Sequence, residues 1–261
     1  MLALPTLFVS HGSPMLALND SPARRFLQGF GAQLPRPKAI LAVSAHWGTV
    51  GGPAVSLAPQ PRTIHDFGGF PRALFEITYP APGAPEMAAR AAGLLEQAGF
   101  KVGRSMDRGL DHGAWVPLSI MYPDAQVPVA QLSVLHGATA AEHERLGQAL
   151  SALREEGVLI VGSGSLTHNL YEFRGQDLDA PAPNWVSEFA GWMNARLESG
   201  DREALLDYRR AAPFAEKNHP TDEHLMPLFV AMGAAGKSPK AERLHASVEH
   251  GVLAMDVYAF N

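Results

Sequence analysis

Apolar runs and helical periodicities alternate along this chain. Thr6–Ser10, Ala39–Ser44, Val127–Leu135 and the run from Val158 are rich in β-branched and large apolar residues, and each is closed by small or turn-forming residues. Between them the period lengthens to that of an amphipathic helix. Pro22–Leu34 carries Phe26 and Phe30 one turn apart behind a Ser21 cap, and Ala84–Ala98 puts Met87, Ala91, Leu94, Leu95 and Ala98 on one face. Thr139 and Glu142 have capping-box spacing ahead of Leu146, Ala149, Leu150 and Leu153. Asn184–Ser199 has a stripe of Trp185, Phe189, Trp192 and Met193. Asp201 caps a short charged helix, and an apolar helix follows Thr221, its start drawn towards Pro227. Strand–helix–strand spacing of this kind predicts right-handed parallel crossovers. Arg243–Val248 and Val252–Phe260 read as a closing antiparallel pair, Ala54–Leu57 as an edge strand and Phe100–Ser105 as a short strand. No repeat or linker divides residues 1–261, so one α/β domain is expected.

One stretch breaks the alternation. From Pro59 to Pro85 the chain is rich in proline, glycine and aromatic residues, including Ile64-His-Asp-Phe-Gly-Gly-Phe-Pro71. A loop this long in a compact domain is usually functional, and its aromatics predict an ordered cover over a substrate.

Composition narrows the function. With 46% hydrophobic and 18% charged residues the chain is that of a globular protein. Its formal charge of −5 gives no attraction to nucleic acid or anionic membrane. No apolar run has membrane-spanning length, and the N-terminus reads as the first strand rather than a signal peptide; a cytoplasmic protein is the expectation. The chain contains no cysteine, so any metal must be held by His, Asp or Glu.

The histidines are placed unusually. His11, His46 and His168 each follow an apolar strand within a few small residues, where open α/β sheets bind ligands, and neutral imidazole suits iron and zinc. Asp222 and Glu223 suit a helix N-terminus, but a charged His224 does not; a neutral, metal-bound His224 would. Asp111 beside His112 either tunes an acid–base histidine or bonds its own backbone in a turn; His65-Asp66 is a weaker version. His136 also ends a strand. His143 falls on a polar helix face, and His245 and His250 read as surface strand positions. The Gly162-Ser-Gly-Ser165 run lacks the lysine and spacing of a phosphate loop, and there is no G-x-S-x-G elbow.

Six short motifs occur in order: Val9-Ser-His-Gly-Ser-Pro14, Val43-Ser-Ala-His-Trp47, Ile64–Pro71, Leu110-Asp-His-Gly-Ala-Trp115, Gly164-Ser-Leu-Thr-His-Asn-Leu170 and Asp222-Glu-His224. Together they resemble the 4,5-DOPA extradiol dioxygenase family of the class III (protocatechuate 4,5-dioxygenase β-subunit-like) ring-cleaving enzymes. The resemblance implies a central mixed, largely parallel sheet flanked by helices and a non-haem Fe(II) site that Zn(II) can also occupy. It implies His11 and His46 as ligands, with His224 favoured over Glu223 as the third. His168 becomes either a further ligand or an acid–base residue, and His112 a second acid–base or substrate-binding residue. The implied partners are a small catechol and O2. His136 has no counterpart. Two other readings of the same residues are a zinc-dependent hydrolase and a metal-binding relative without activity.

Overall fold

A computed structural model describes residues 3–261. Eight strands form one sheet in the order β4-β3-β5-β2-β6-β1-β10-β7, with β1 at Thr6–Ser10, β2 at Ala39–Thr49, β3 at Ala54–Ser56, β4 at Gly103–Ser105, β5 at Val129–Leu135, β6 at Val158–Gly164, β7 at Ala241–His245 and β10 at Val257–Phe260. The central strands β5, β2, β6 and β1 are mutually parallel. Antiparallel partners close the row, β10 and β7 beyond β1 and β3 against β5. Single domain, mixed sheet and helical flanks match the expected class.

The central strands are apolar throughout because both faces are covered. Leu41 and Val43 point into the layer formed by the helices Pro85–Gln97, Ala140–Ala149, Asn184–Ser199 and Met226–Ala234. Ile40 and Ala42 point the other way, towards the helices Pro22–Phe30 and His112–Met121. Local signals set the helix starts. Ser21 accepts from Arg24 N, Thr139 and Glu142 form the full capping box, Asp201 accepts from Ala204 N, and Pro227 sits in the first turn of its helix.

Several boundaries differ from expectation. The first helix is α-helical only to Phe30, with a 3-10 turn at Gly31–Gln33. β3 is not an edge, since the short β4 pairs outside it. The C-terminal pair is β7 with β10, while β8 (Val248–Glu249) and β9 (Leu253–Ala254) form a separate hairpin. His143 is buried rather than solvated: Nδ1–H donates to Thr139 O and Nε2 accepts from Leu135 N, joining its helix to the end of β5. No helix among the described residues is long and apolar enough to cross a membrane.

Candidate active site

The carboxyl ends of β1, β2 and β6 meet at one edge of the sheet. β1 delivers His11, whose N–H continues the ladder by donating to Gly164 O at 2.8 Å. β2 delivers His46 through an irregularity. Ser44 pairs with Ser133, but the next pair is Gly48 with Val134, so Ala45, His46 and Trp47 bulge out of the ladder. A bulge re-aims a side chain and sharpens the local twist, and here it turns His46 towards His11. β2 then resumes beside β5 and carries β5 past the site. His136 consequently ends exposed against Gly48, outside the cluster. The strand-end rule misranked it because the rule knows nothing of the bulge.

The fourth side of the cluster comes from the turn before the helix Met226–Ala234. That turn crosses β6 at Gly164, where a Cβ would lie 2.0 Å from His224 O. Ser165 N donates to the same carbonyl. The Gly-Ser run after β6 therefore serves close backbone approach. It brings His224 to the end of β6 and leaves His168 just beyond.

Three ring nitrogens converge. His11 Nε2 and His46 Nε2 are 3.0 Å apart, and His224 Nε2 lies 3.3 Å from His46 Nε2. Two of the tautomers follow from outer hydrogen bonds. Ser163 Oγ donates to Gly113 O, so it accepts from His11 Nδ1–H at 3.0 Å and leaves a lone pair on His11 Nε2. The Glu223 carboxylate accepts from His224 Nδ1–H at 2.9 Å, with the same result at His224 Nε2. Lone pairs aimed at a common point repel each other unless a cation lies between them. Nitrogen ligands at about 2.0–2.1 Å from one ion stand roughly 2.9–3.4 Å apart, which these separations match. Outer partners that fix the ring tautomer are the usual companions of ligand histidines. The donor set therefore fits a divalent transition metal.

Electrostatics keeps the rings neutral. Burial, reinforced by the neighbouring imidazoles, lowers His11 and His224 well below the ordinary histidine value. Burial also brings His46 to about 4, with His112 adding to the effect and Asp111 opposing it. Neutral imidazole is the ligand form.

His168 and His112 flank the three. His168 stacks on His224, with centroids 3.5 Å apart and planes at 8°, and groups with Glu223 and His224 rather than with His11 and His46. Burial holds it down to about 3. His112, at the first turn of its helix, lies with its ring centroid 3.8 Å from that of His46. Its partner is not Asp111. Asp111 caps the helix, accepting from Ala114 N, Ser44 Oγ, Gln131 Nε2 and Arg108. Asp66, from the long loop, takes the role instead. Its Oδ1 accepts from both His112 N and Nδ1 at 3.0 Å, and its Oδ2 lies 3.8 Å from His46 Nδ1. Partial burial alone would raise Asp66, but the His112 bonds outweigh it and hold the carboxyl near 2. His65 points away, donating Nε2–H to Ile77 O, and His219 donates Nε2–H to Leu166 O.

The loop covers the site as its aromatics suggested. Trp115 Nε1 pins it by donating to Ile64 O, and Phe67 packs on Phe70, Phe75 and His112. The resulting cavity, about 800 Å³, is walled by Phe67, Phe70, Met15, Leu170, Phe173 and Leu253, with His46, His112, His168 and His224 at its base. Two contributors were missed in the sequence, Gly113 unread and His250 misread. Gly113 has no room for a side chain, since a Cβ would meet Ser44 Oγ at 2.5 Å and His46 Cδ2 at 3.0 Å. His250 lines the cavity from the β8–β9 turn, not from a surface strand.

Comparison with known proteins fits this geometry. The family described as the catalytic LigB subunit of aromatic ring-opening dioxygenase matches residues 5–260. A 4,5-DOPA dioxygenase extradiol of Beta vulgaris is 46% identical, the alignment covering 98% of this chain and 96% of that protein. One of Escherichia coli (strain K12) is 40% identical over 97% and 93%. The crystal structure of an uncharacterized Escherichia coli K12 protein superposes with a TM-score of 0.84 at 34% identity, covering 99% of this chain and all of that one. Five histidines gathered at one sheet edge under an aromatic cover thus sit in a chain that belongs to the LigB family of aromatic ring-opening dioxygenases.

Proposed function

We propose that this protein opens the ring of a catechol with a DOPA-like side chain, inserting O2 beside the diol, at a ferrous ion held by His11, His46 and His224. The observation that carries the reading is the convergence of three Nε2 atoms, two of them left with lone pairs by the outer hydrogen bonds of their rings. Glu223 then holds His224 from behind and is not itself the ligand. A bound ferrous ion supplies Lewis acidity towards the catechol oxygens and open positions for substrate and O2.

The chain's own residues handle protons and water. His112, with Nδ1–H committed to Asp66, presents Nε2 to the cavity and takes a proton from a catechol hydroxyl; the carboxylate behind it stabilises the imidazolium that forms. His168, neutral and on the other side of the base, is the second acid–base group: it takes the proton of the other catechol hydroxyl and returns that proton as the ring opens. Phe67 and Phe70 pack over the ring plane and exclude water.

Three imidazoles are also a set that zinc accepts, which makes a zinc hydrolase the competing reading. One experiment separates them. The apo-protein is loaded anaerobically with Fe(II), L-DOPA is added, and oxygen is then admitted. Oxygen uptake with a yellow ring-fission product is expected. A zinc-dependent, oxygen-independent hydrolysis would contradict the proposal, as would inertness with every metal, which would mark a metal-binding relative without activity.

A further inference from the structure

The cavity lining holds one further polar ring that the ring-opening chemistry does not use. His250 sits in the turn between β8 and β9 with φ +54°, followed by Gly251 at +70°, and Val252 N closes the turn on Glu249 O. Two central residues with positive φ define a turn that strongly favours Asn-Gly, and a histidine there is strained. Three contacts hold the residue and its ring. His250 N donates to Leu178 O, Nδ1–H donates to Gln176 O at 2.9 Å, and the edge of the ring contact with Phe173 is T-shaped at 5.3 Å. With Nδ1–H committed to a carbonyl, the neutral ring offers Nε2 as a lone pair. Among the described residues lining the cavity there is no lysine or arginine, and its one carboxylate is Asp66.

We infer that His250 and Phe173 form the subsite for the substrate's side chain, and that the group they read is an ammonium. The Nε2 lone pair accepts an N–H from the ammonium, and the Phe173 ring offers its π face to the same charge. A carboxylate on the tail finds no cationic side chain to pair with. His250 is thus a specificity-determining residue outside the candidate metal-ligand cluster. This rests on the reading of the cavity as a catechol site.

The test is anaerobic titration calorimetry on the metal-loaded protein with dopamine, 4-methylcatechol and 3-(3,4-dihydroxyphenyl)propionate. Dopamine should bind the wild type most tightly and the propionate most weakly. His250→Asn suits the turn, so its Tm should hold or rise; dopamine should weaken by about tenfold while 4-methylcatechol stays within about twofold. Phe173→Leu should weaken dopamine by a smaller factor in the same selective way. Equal shifts for dopamine and 4-methylcatechol, no shift for either, or a propionate that binds the wild type as tightly as dopamine would overturn the inference alone. Failure of all three compounds to bind the wild type would overturn the catechol reading and this inference with it.

Discussion

The base of the cavity and its outer wall are built on different terms. At the base, His11, His112 and His224 are at most 5% exposed, and they hang from a strand end, the first turn of a helix and the tight turn that crosses β6 at Gly164. Their outer ring nitrogens meet Ser163, Asp66 and Glu223. The wall is apolar and comes mostly from loops and short 3-10 turns, with Leu253 from the short β9; Leu170 is 58% and Phe173 43% exposed. A metal site demands nitrogen positions held to a fraction of an ångström, which rigid elements and locked tautomers provide. A wall that only shapes a substrate tolerates loop construction. Chemistry should therefore fail sharply when the base is altered, and selectivity should shift gradually when the wall is.

The largest effect after loss of a ligand is expected at His168. His168→Ala should abolish turnover while metal binding is retained in part, read by metal content beside oxygen uptake; full activity would remove His168 from the acid–base role. Glu223→Ala leaves the proposed ligand in place but frees its ring, and metal affinity should fall about 10- to 100-fold. An unchanged affinity would mean that the carboxylate does not orient His224. Stability should respond to pH through a histidine outside the cluster. Burial holds His219 at about 4 against an ordinary 6.5. Between those values the unfolded chain binds the proton that the folded one refuses, so stability falls as pH drops from about 6.5 towards 4, by up to about 3 kcal/mol from this group. His219→Gln should flatten that slope in a pH series of denaturant titrations, and an unaltered slope would place the acid sensitivity elsewhere. The smallest effect belongs to the wall. Phe70→Ala should raise KM for a catechol within about tenfold with metal content unchanged, and loss of metal would erase the distinction between base and wall.

Much of the base was legible in the sequence because its parts are short and local. Apolar runs ending in small residues marked the strands that deliver His11, His46 and His168, and the Asp-Glu-His cluster before Pro227 gave His224 a reason to be neutral. What was illegible depends on tertiary placement. The bulge after Ser44 is a register shift between β2 and β5, and without it His136 looks equal to His46. Asp111 is adjacent to His112 in sequence, yet it turns back to cap the helix, and the loop carboxylate of Asp66, 46 positions away, reaches the ring instead. The polar-face position of His143 concealed a side chain that ties two elements together. A turn residue such as His250 carries no periodic signal at all.

The central claim is that His46, turned out of its strand by the bulge, shares one metal ion with His11 and His224. Anaerobic Fe(II) titration of wild type and His46→Ala, followed by oxygen uptake with L-DOPA, tests it most directly. The account predicts one ferrous ion per wild-type chain with ring cleavage, and neither binding nor turnover in His46→Ala. Full ferrous occupancy with normal ring cleavage in His46→Ala would contradict it.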